Sequence, residues 1–210
     1  KAVRRGLSSC FLIGDMPFMS YQISIEQALT NSARMMQEGG CDCVKLEGGA
    51  EMAETVKAIV DAGIPVCAHI GLTPQSSGQL GGHKAQGRTA QSARMVVEDA
   101  LAVEKAGAKM LLVVHVQPEV CAYIWKALSI PVLSIGAGPA CDGQLLIVSD
   151  LIGQFQAFTP KFVKKYCNVA EIITDAMRTY CDEVRGGSFP GDEHCYKMIP
   201  GEHEKFLEGM

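Results

Sequence analysis

The chain has 210 residues, 48% of them hydrophobic and 20% charged, with a formal net charge of -4 and a pI near 5.7. That length suits one sizeable core, and the acidic balance gives no basic footprint for nucleic acid, because Arg4-Arg5 and the cluster from Lys161 to Lys165 are the only concentrations of positive charge. No apolar run reaches the roughly 18 to 20 residues of a membrane span, and the opening KAVRRG lacks the apolar stretch of a secretory signal. The expected partner is a small molecule, and the expected compartment is the cytoplasm or a mitochondrion. Nine dispersed cysteines, an odd count mostly in apolar surroundings, read as reduced thiols. Cys41 and Cys43 have no second pair or nearby histidine to complete a zinc site.

In chain order, short apolar, β-branched runs bounded by glycine or proline predict strands at CFLIGD (10 to 15), CVKLEGG (43 to 49), PVCAHIG (65 to 71), KMLLVVH (109 to 115), PVLSIGAG (131 to 138) and LLIVSD (145 to 150). The intervening segments repeat apolar residues at helical spacing: Ile25, Ala28, Leu29, Met35 and Met36; Met52, Val56, Ile59 and Val60; Met95, Val96, Leu101 and Val103; Val120, Tyr123, Ile124, Ala127 and Leu128. Glycines at 39–40, 63 and 107 close three of these helices. Strand, helix, short turn and strand again is the pattern of a parallel sheet with crossover helices, an α/β fold. No G-x-G-x-x-G follows the first strand, which favours a (βα)8 TIM-type barrel over a dinucleotide-binding sheet. Six strands do not close an eight-stranded barrel, so about two βα units are expected to be lacking in front.

Polar residues interrupt these runs where a barrel carries its chemistry. Asp15, Glu47, His69 and His115 fall at or near the C-terminal ends of the first four strands, and Lys45 shares a strand face with Glu47. An internal ion pair would account for Lys45 and Glu47 alone, and satisfied structural histidines for His69 and His115. Two carboxylates and a lysine at one rim instead suit a hard divalent cation and an anionic ligand, with magnesium fitting better than zinc. The glycine-rich segment from Gly71 to Thr89, with Gly81, Gly82, Lys84, Gln86 and Arg88, reads as a lid or pocket wall.

Taken together, VRRG, GDMPFMSY, VKLEGG, HIGLTPQS, GGHKAQGR, PVLSIGAG, CDGQLLIVSD, PKF and FPGDEH resemble the 3-methyl-2-oxobutanoate (ketopantoate) hydroxymethyltransferase family. The resemblance runs from residue 1 to about 196, making 1–196 a barrel domain and 197–210 a C-terminal extension. It implies a barrel of the phosphoenolpyruvate mutase/isocitrate lyase superfamily, assembled as a homo-oligomer, often a decamer. It also implies transfer of a hydroxymethyl group from 5,10-methylenetetrahydrofolate to 3-methyl-2-oxobutanoate through a Mg2+-stabilised enolate, giving 2-dehydropantoate for pantothenate and coenzyme A. On that resemblance Asp15 is a magnesium ligand lying against substrate, Glu47 the second metal carboxylate, Lys45 the substrate-binding lysine and His69 a pocket residue.

Two departures accompany the match. The family carries a Gly-Asp-Ser segment upstream that has no counterpart before Lys1, and after LLVV this chain has His115 where the family has a glutamate base. Imidazole, with an ordinary pKa of about 6.5, can abstract a proton at neutral pH. His115 is thus the candidate catalytic base, ahead of Glu119. Another magnesium-dependent enolate lyase or mutase, or a non-catalytic oligomer subunit, are the alternatives.

Overall fold

The computed structural model describes residues 1–78, 82 and 84–210. The chain divides into two compact units, Lys1–Leu146 and Ile147–Met210. After a short helix α1 (Ala2–Gly6), the first unit alternates strand and helix: β1 (Ile13–Asp15), α2 (Ile25–Gln37), β2 (Cys43–Glu47), α3 (Ala53–Asp61), β3 (Val66–Gly71), α4 (Ala90–Lys105), β4 (Met110–Val114), α5 (Pro118–Ala127), β5 (Val132–Ile135) and β6 (Gly143–Gln144). The second unit holds α6 (Val148–Leu151), α7 (Val169–Gly186) and α8 (Glu202–Glu208), the last within the stretch 197–210.

Local chemistry sets the helix limits. The Ser24 side chain accepts the Gln27 N–H at the start of α2, Thr89 and Ser92 form a reciprocal capping box on α4, and Pro118 opens α5, where its missing N–H costs nothing. Left-handed glycines follow α2, α3 and α4 at Gly40, Gly63 and Gly107.

The sheet is parallel throughout, and its spatial order is its chain order, β1 to β6. A doubly wound sheet reverses direction at a switch point, whereas unbroken order with right-handed crossovers puts every helix on one face, as in the wall of a (βα)8 barrel. The core obeys that rule. Alternate strand residues Val44, Leu46, Val66, Ala68, Ile70, Leu111, Val113 and Val132 pack with Ala28, Val56, Ile59, Val96, Ala100, Val103, Cys121 and Ile124 from α2 to α5. Each buried valine, leucine or isoleucine of this set contributes about 1.5 to 3 kcal/mol of gross transfer free energy. The opposite strand face carries Asp15, Lys45, Glu47 and His69.

The sixth strand differs from expectation. Only Gly143–Gln144 pairs, against Leu133–Ser134, and the apolar run LLIVSD leaves the sheet after Leu145 to enter α6. A short apolar run looks the same in a strand and in a helical turn, and here Leu145, Ile147 and Val148 are exposed.

Candidate active site

The sheet register brings the polar residues together. Asp15 on β1 is the Cα partner of Lys45 on β2, and Glu47, two residues further on, is the partner of His69 on β3. Four side chains therefore meet on one face at the C-terminal ends of three neighbouring strands. Lys45 is their hub: its Nζ lies 2.9 Å from Asp15 Oδ1, 3.5 Å from Glu47 Oε1 and 3.2 Å from His69 Nδ1. The Lys45, Glu47 and His69 side chains are 13%, 7% and 4% exposed, whereas Asp15 is 64% exposed. Three side chains are thus sheltered while the fourth faces the solvent side.

The hydrogen bonds fix the state of His69. Nε2 lies 2.8 Å from the Leu72 carbonyl and must carry the proton there, which leaves Nδ1 to accept from the Lys45 ammonium. Burial, and then the Lys45 charge, push its pKa down to about 3, so the ring is neutral at ordinary pH. Its 3.6 Å approach to Glu47 Oε1 is accordingly a contact between two acceptors bridged by the ammonium, rather than an ion pair.

Two further residues, which sequence reasoning had not singled out, complete the surroundings. Tyr21 is fully buried; its hydroxyl accepts the Glu47 N–H at 3.0 Å and donates to Gln75 Oε1 at 2.6 Å. Gln75 sits in a 3-10 turn, Pro74–Ser76, just beyond β3, and its own N–H donates to Glu47 Oε2 at 2.9 Å. Burial, with the Glu47 and Asp15 charges acting in the same direction, pushes the Tyr21 phenol up to about 12. The only signal for them was position: Tyr21 closes GDMPFMSY and Gln75 lies in HIGLTPQS.

His115 stands one residue past β4 in a left-handed backbone conformation, φ 49°. Its N–H donates to the Ile135 carbonyl on β5, and its carbonyl accepts from the Gln86 N–H. The register places it beyond the row of His69 and Leu112 rather than in it. A non-glycine residue held at positive φ is uncommon, and such positions gather at functional sites. In the 71–89 segment, Gln86 pairs with Val116, and the exposed Lys84 and Arg88 flank it. Gly81 lies outside the described residues. Glu119 sits in the first turn of α5.

Among the described residues, no group of three or more His, Cys, Asp and Glu could hold a metal ion by itself. Asp15 and Glu47 do share a single cation, the Lys45 ammonium, so their oxygens can approach one positive charge together. That pair meets the modest protein requirement of magnesium, which takes one or two carboxylates and completes its shell with water and substrate oxygens. The donor chemistry fits that ion. No helix is long and apolar enough to cross a membrane among the described residues.

Comparison with known proteins shows the family. A family model described as ketopantoate hydroxymethyltransferase matches residues 1–192. A 3-methyl-2-oxobutanoate hydroxymethyltransferase of Alkaliphilus metalliredigens is 57% identical over 204 residues, which is 97% of this chain and 72% of that protein. One from Clostridium beijerinckii is 47% identical, over 98% of this chain and 74% of that protein. A solved structure of phosphonopyruvate hydrolase is similar at a TM-score of 0.47 and 13% identity, covering 94% of this chain and 68% of that one, a likeness too shallow to carry weight.

Proposed function

The chain belongs to the ketopantoate hydroxymethyltransferase family, and from that premise we propose that it builds a hydroxymethyl group onto 3-methyl-2-oxobutanoate, the methylene coming from 5,10-methylenetetrahydrofolate and the hydroxyl from water, giving 2-dehydropantoate and leaving tetrahydrofolate. The observation that carries the proposal is the convergence of Asp15, Lys45, Glu47 and His69 at the ends of three adjacent parallel strands.

Asp15 and Glu47 would hold magnesium, which supplies positive charge beside the 2-oxo group as the C3 proton leaves. Lys45 offers its ammonium to the substrate carboxylate. Neutral His69 steers the ammonium through Nδ1 and brings no second positive charge into the pocket. His115 is the group proposed to take the C3 proton, its imidazole carried on a backbone turned out of the β4 extended run. Residues 84–89 serve as a pocket wall beside it, joined to it through Gln86. Folate is the second small-molecule partner. The protein works as a homo-oligomer of up to ten copies, a reading supported by the exposed Ile172, Ile173, Met177, Tyr180 and Val184 at helical spacing on α7.

The test is hydrogen–deuterium exchange at C3 of 3-methyl-2-oxobutanoate, with and without magnesium, for wild type, Glu47→Gln and His115→Asn. Asparagine suits position 115 because it tolerates positive φ. Magnesium-dependent exchange by the wild type, reduced by about 100-fold or more in both variants, is expected. Equal exchange by His115→Asn overturns the assignment of the base, and no exchange by the wild type overturns the reaction.

A further inference from the structure

We infer that Gln75, seconded by Tyr21, is a positioning residue that locks the Glu47 carboxylate so that one oxygen is spent on the protein and the other is aimed at the shared cation. The inference rests on the reading of Asp15 and Glu47 as the metal-holding pair, and deepens it.

The two oxygens of Glu47 have different partners. Oε2 accepts the Gln75 N–H at 2.9 Å, and Oε1 faces Lys45 Nζ at 3.5 Å. The last torsion of a glutamate is otherwise broad and roughly two-fold, so a hydrogen bond from a backbone N–H to one oxygen decides which way the other points. That amide must itself be held still, and the Gln75 side chain does so. Its Oε1 accepts from the Tyr21 hydroxyl at 2.6 Å and from Gln22 Nε2 at 2.9 Å, while its Nε2 donates to the Met16 carbonyl at 2.9 Å.

Met16 follows Asp15 directly, and the Tyr21 hydroxyl also accepts the N–H of Glu47. One glutamine thus ties together the backbone just after one proposed ligand, the strand end bearing the other, and the turn beyond β3. Tyr21 is fully buried, so its hydroxyl meets Gln75 without competition from solvent. Partners that orient metal-holding groups in this way are typically worth 10- to 100-fold in metal affinity.

The experiment titrates magnesium chloride calorimetrically into the intact wild-type chain, Gln75→Leu and Tyr21→Phe, and records metal-free thermal unfolding of each. Leucine keeps much of the glutamine volume without its polar groups, and phenylalanine removes only the hydroxyl. Expected is a magnesium Kd weakened about tenfold or more in Gln75→Leu and severalfold in Tyr21→Phe, with metal-free unfolding of Tyr21→Phe within a few degrees of wild type. Wild-type affinity in both variants overturns the inference and leaves the proposed metal pair standing. Failure of the wild type to bind magnesium overturns the metal pair and the inference with it. Should Gln75→Leu fail to fold, Tyr21→Phe decides: unchanged affinity there reduces the network to a structural staple.

Discussion

The Lys45 ammonium lies within 3.5 Å of Asp15 Oδ1, Glu47 Oε1 and His69 Nδ1. Its charge therefore opposes any second cation at the two carboxylates. A unit charge at about 4 Å, in surroundings of effective dielectric near 20, interacts by about 4 kcal/mol. That is up to about 1,000-fold in affinity before solvent at the exposed Asp15 screens it, so Lys45→Met should bind magnesium at least about tenfold more tightly than wild type without 2-oxo acid, while losing affinity for the acid itself. Weaker magnesium binding in calorimetry would contradict competition between ammonium and metal. The neutral state of His69 gives a second expectation. A histidine whose folded pKa lies near 3 instead of about 6.5 binds no proton between pH 8 and 5, and its stabilising contribution, full above pH 6.5, declines as pH falls toward 3. Its ring signals in a nuclear magnetic resonance titration should stay flat across that range, and a midpoint above pH 5 would refute the assigned tautomer. These residues were legible because each interrupts an apolar strand run, where a charge without a partner is too costly to keep. Tyr21 and Gln75 were not, since polar residues in loops are ordinary until the ends of β1, β2 and β3 are known to meet.

Among the elements, two aspartates play the same part at opposite sides of the sheet. Asp42, just before β2, accepts the Leu12 N–H and the Arg4 guanidinium, each at 2.7 Å; Asp142, just before β6, accepts the Val132 N–H at 2.7 Å and the Trp125 indole N–H at 3.0 Å. Each carboxylate thus accepts a backbone amide at the start of the strand preceding its own. That amide, followed by Arg4 for Asp42 and by Trp125 for Asp142, holds each carboxyl below the usual range. Because the folded pKa is depressed, the stabilisation is present above the unfolded value of about 4 and is lost as pH falls through the folded one. Urea midpoints measured from pH 6 to 3 should fall less steeply for Asp42→Asn with Asp142→Asn than for wild type; parallel curves would count against the pairing. Gly71 ends β3 at φ 92°, and a Cβ there would collide with the Val114 carbonyl and Val116. Gly71→Ala should cost about 2 kcal/mol or more in chemical denaturation, and a neutral result would mean the strand end yields. The alternation of apolar runs with helical spacing gave away β2 to β5 and their helices. LLIVSD misled because its composition suits either structure, and only the pairing of Gly143–Gln144 decided where the last strand lies.

For the whole molecule, all nine cysteines stand as free thiols in the structure. Cys43, Cys67 and Cys121 are buried, and burial pushes their thiols up to about 12, about 12 and about 11, while Cys10, Cys167, Cys181 and Cys195 are exposed. A thiol reagent at pH 8 should modify the exposed four within the folded protein and reach the buried three only after denaturant is added, as peptide mass mapping can establish. Rapid labelling of Cys67 in the native state would contradict the close packing behind Lys45. The parallel order of the sheet was readable from rhythm alone, but the functional-site chemistry was only half readable. Strand register, which joins Asp15 to Lys45 and Glu47 to His69, is a product of three-dimensional pairing and has no signature in any single stretch of residues.

The in-order sheet also bears on how the chain acquires its shape. Among the described residues each strand pairs with the one synthesised immediately before it, so each pairing from β1 to β5 spans a single crossover helix. A polypeptide leaving the ribosome can lay down β2 on β1, then β3 on β2, and so onward, with each new helix sealing the exposed side behind it. Assembly can keep pace with translation, and the basin of carboxylates and ammonium exists as soon as the third strand docks.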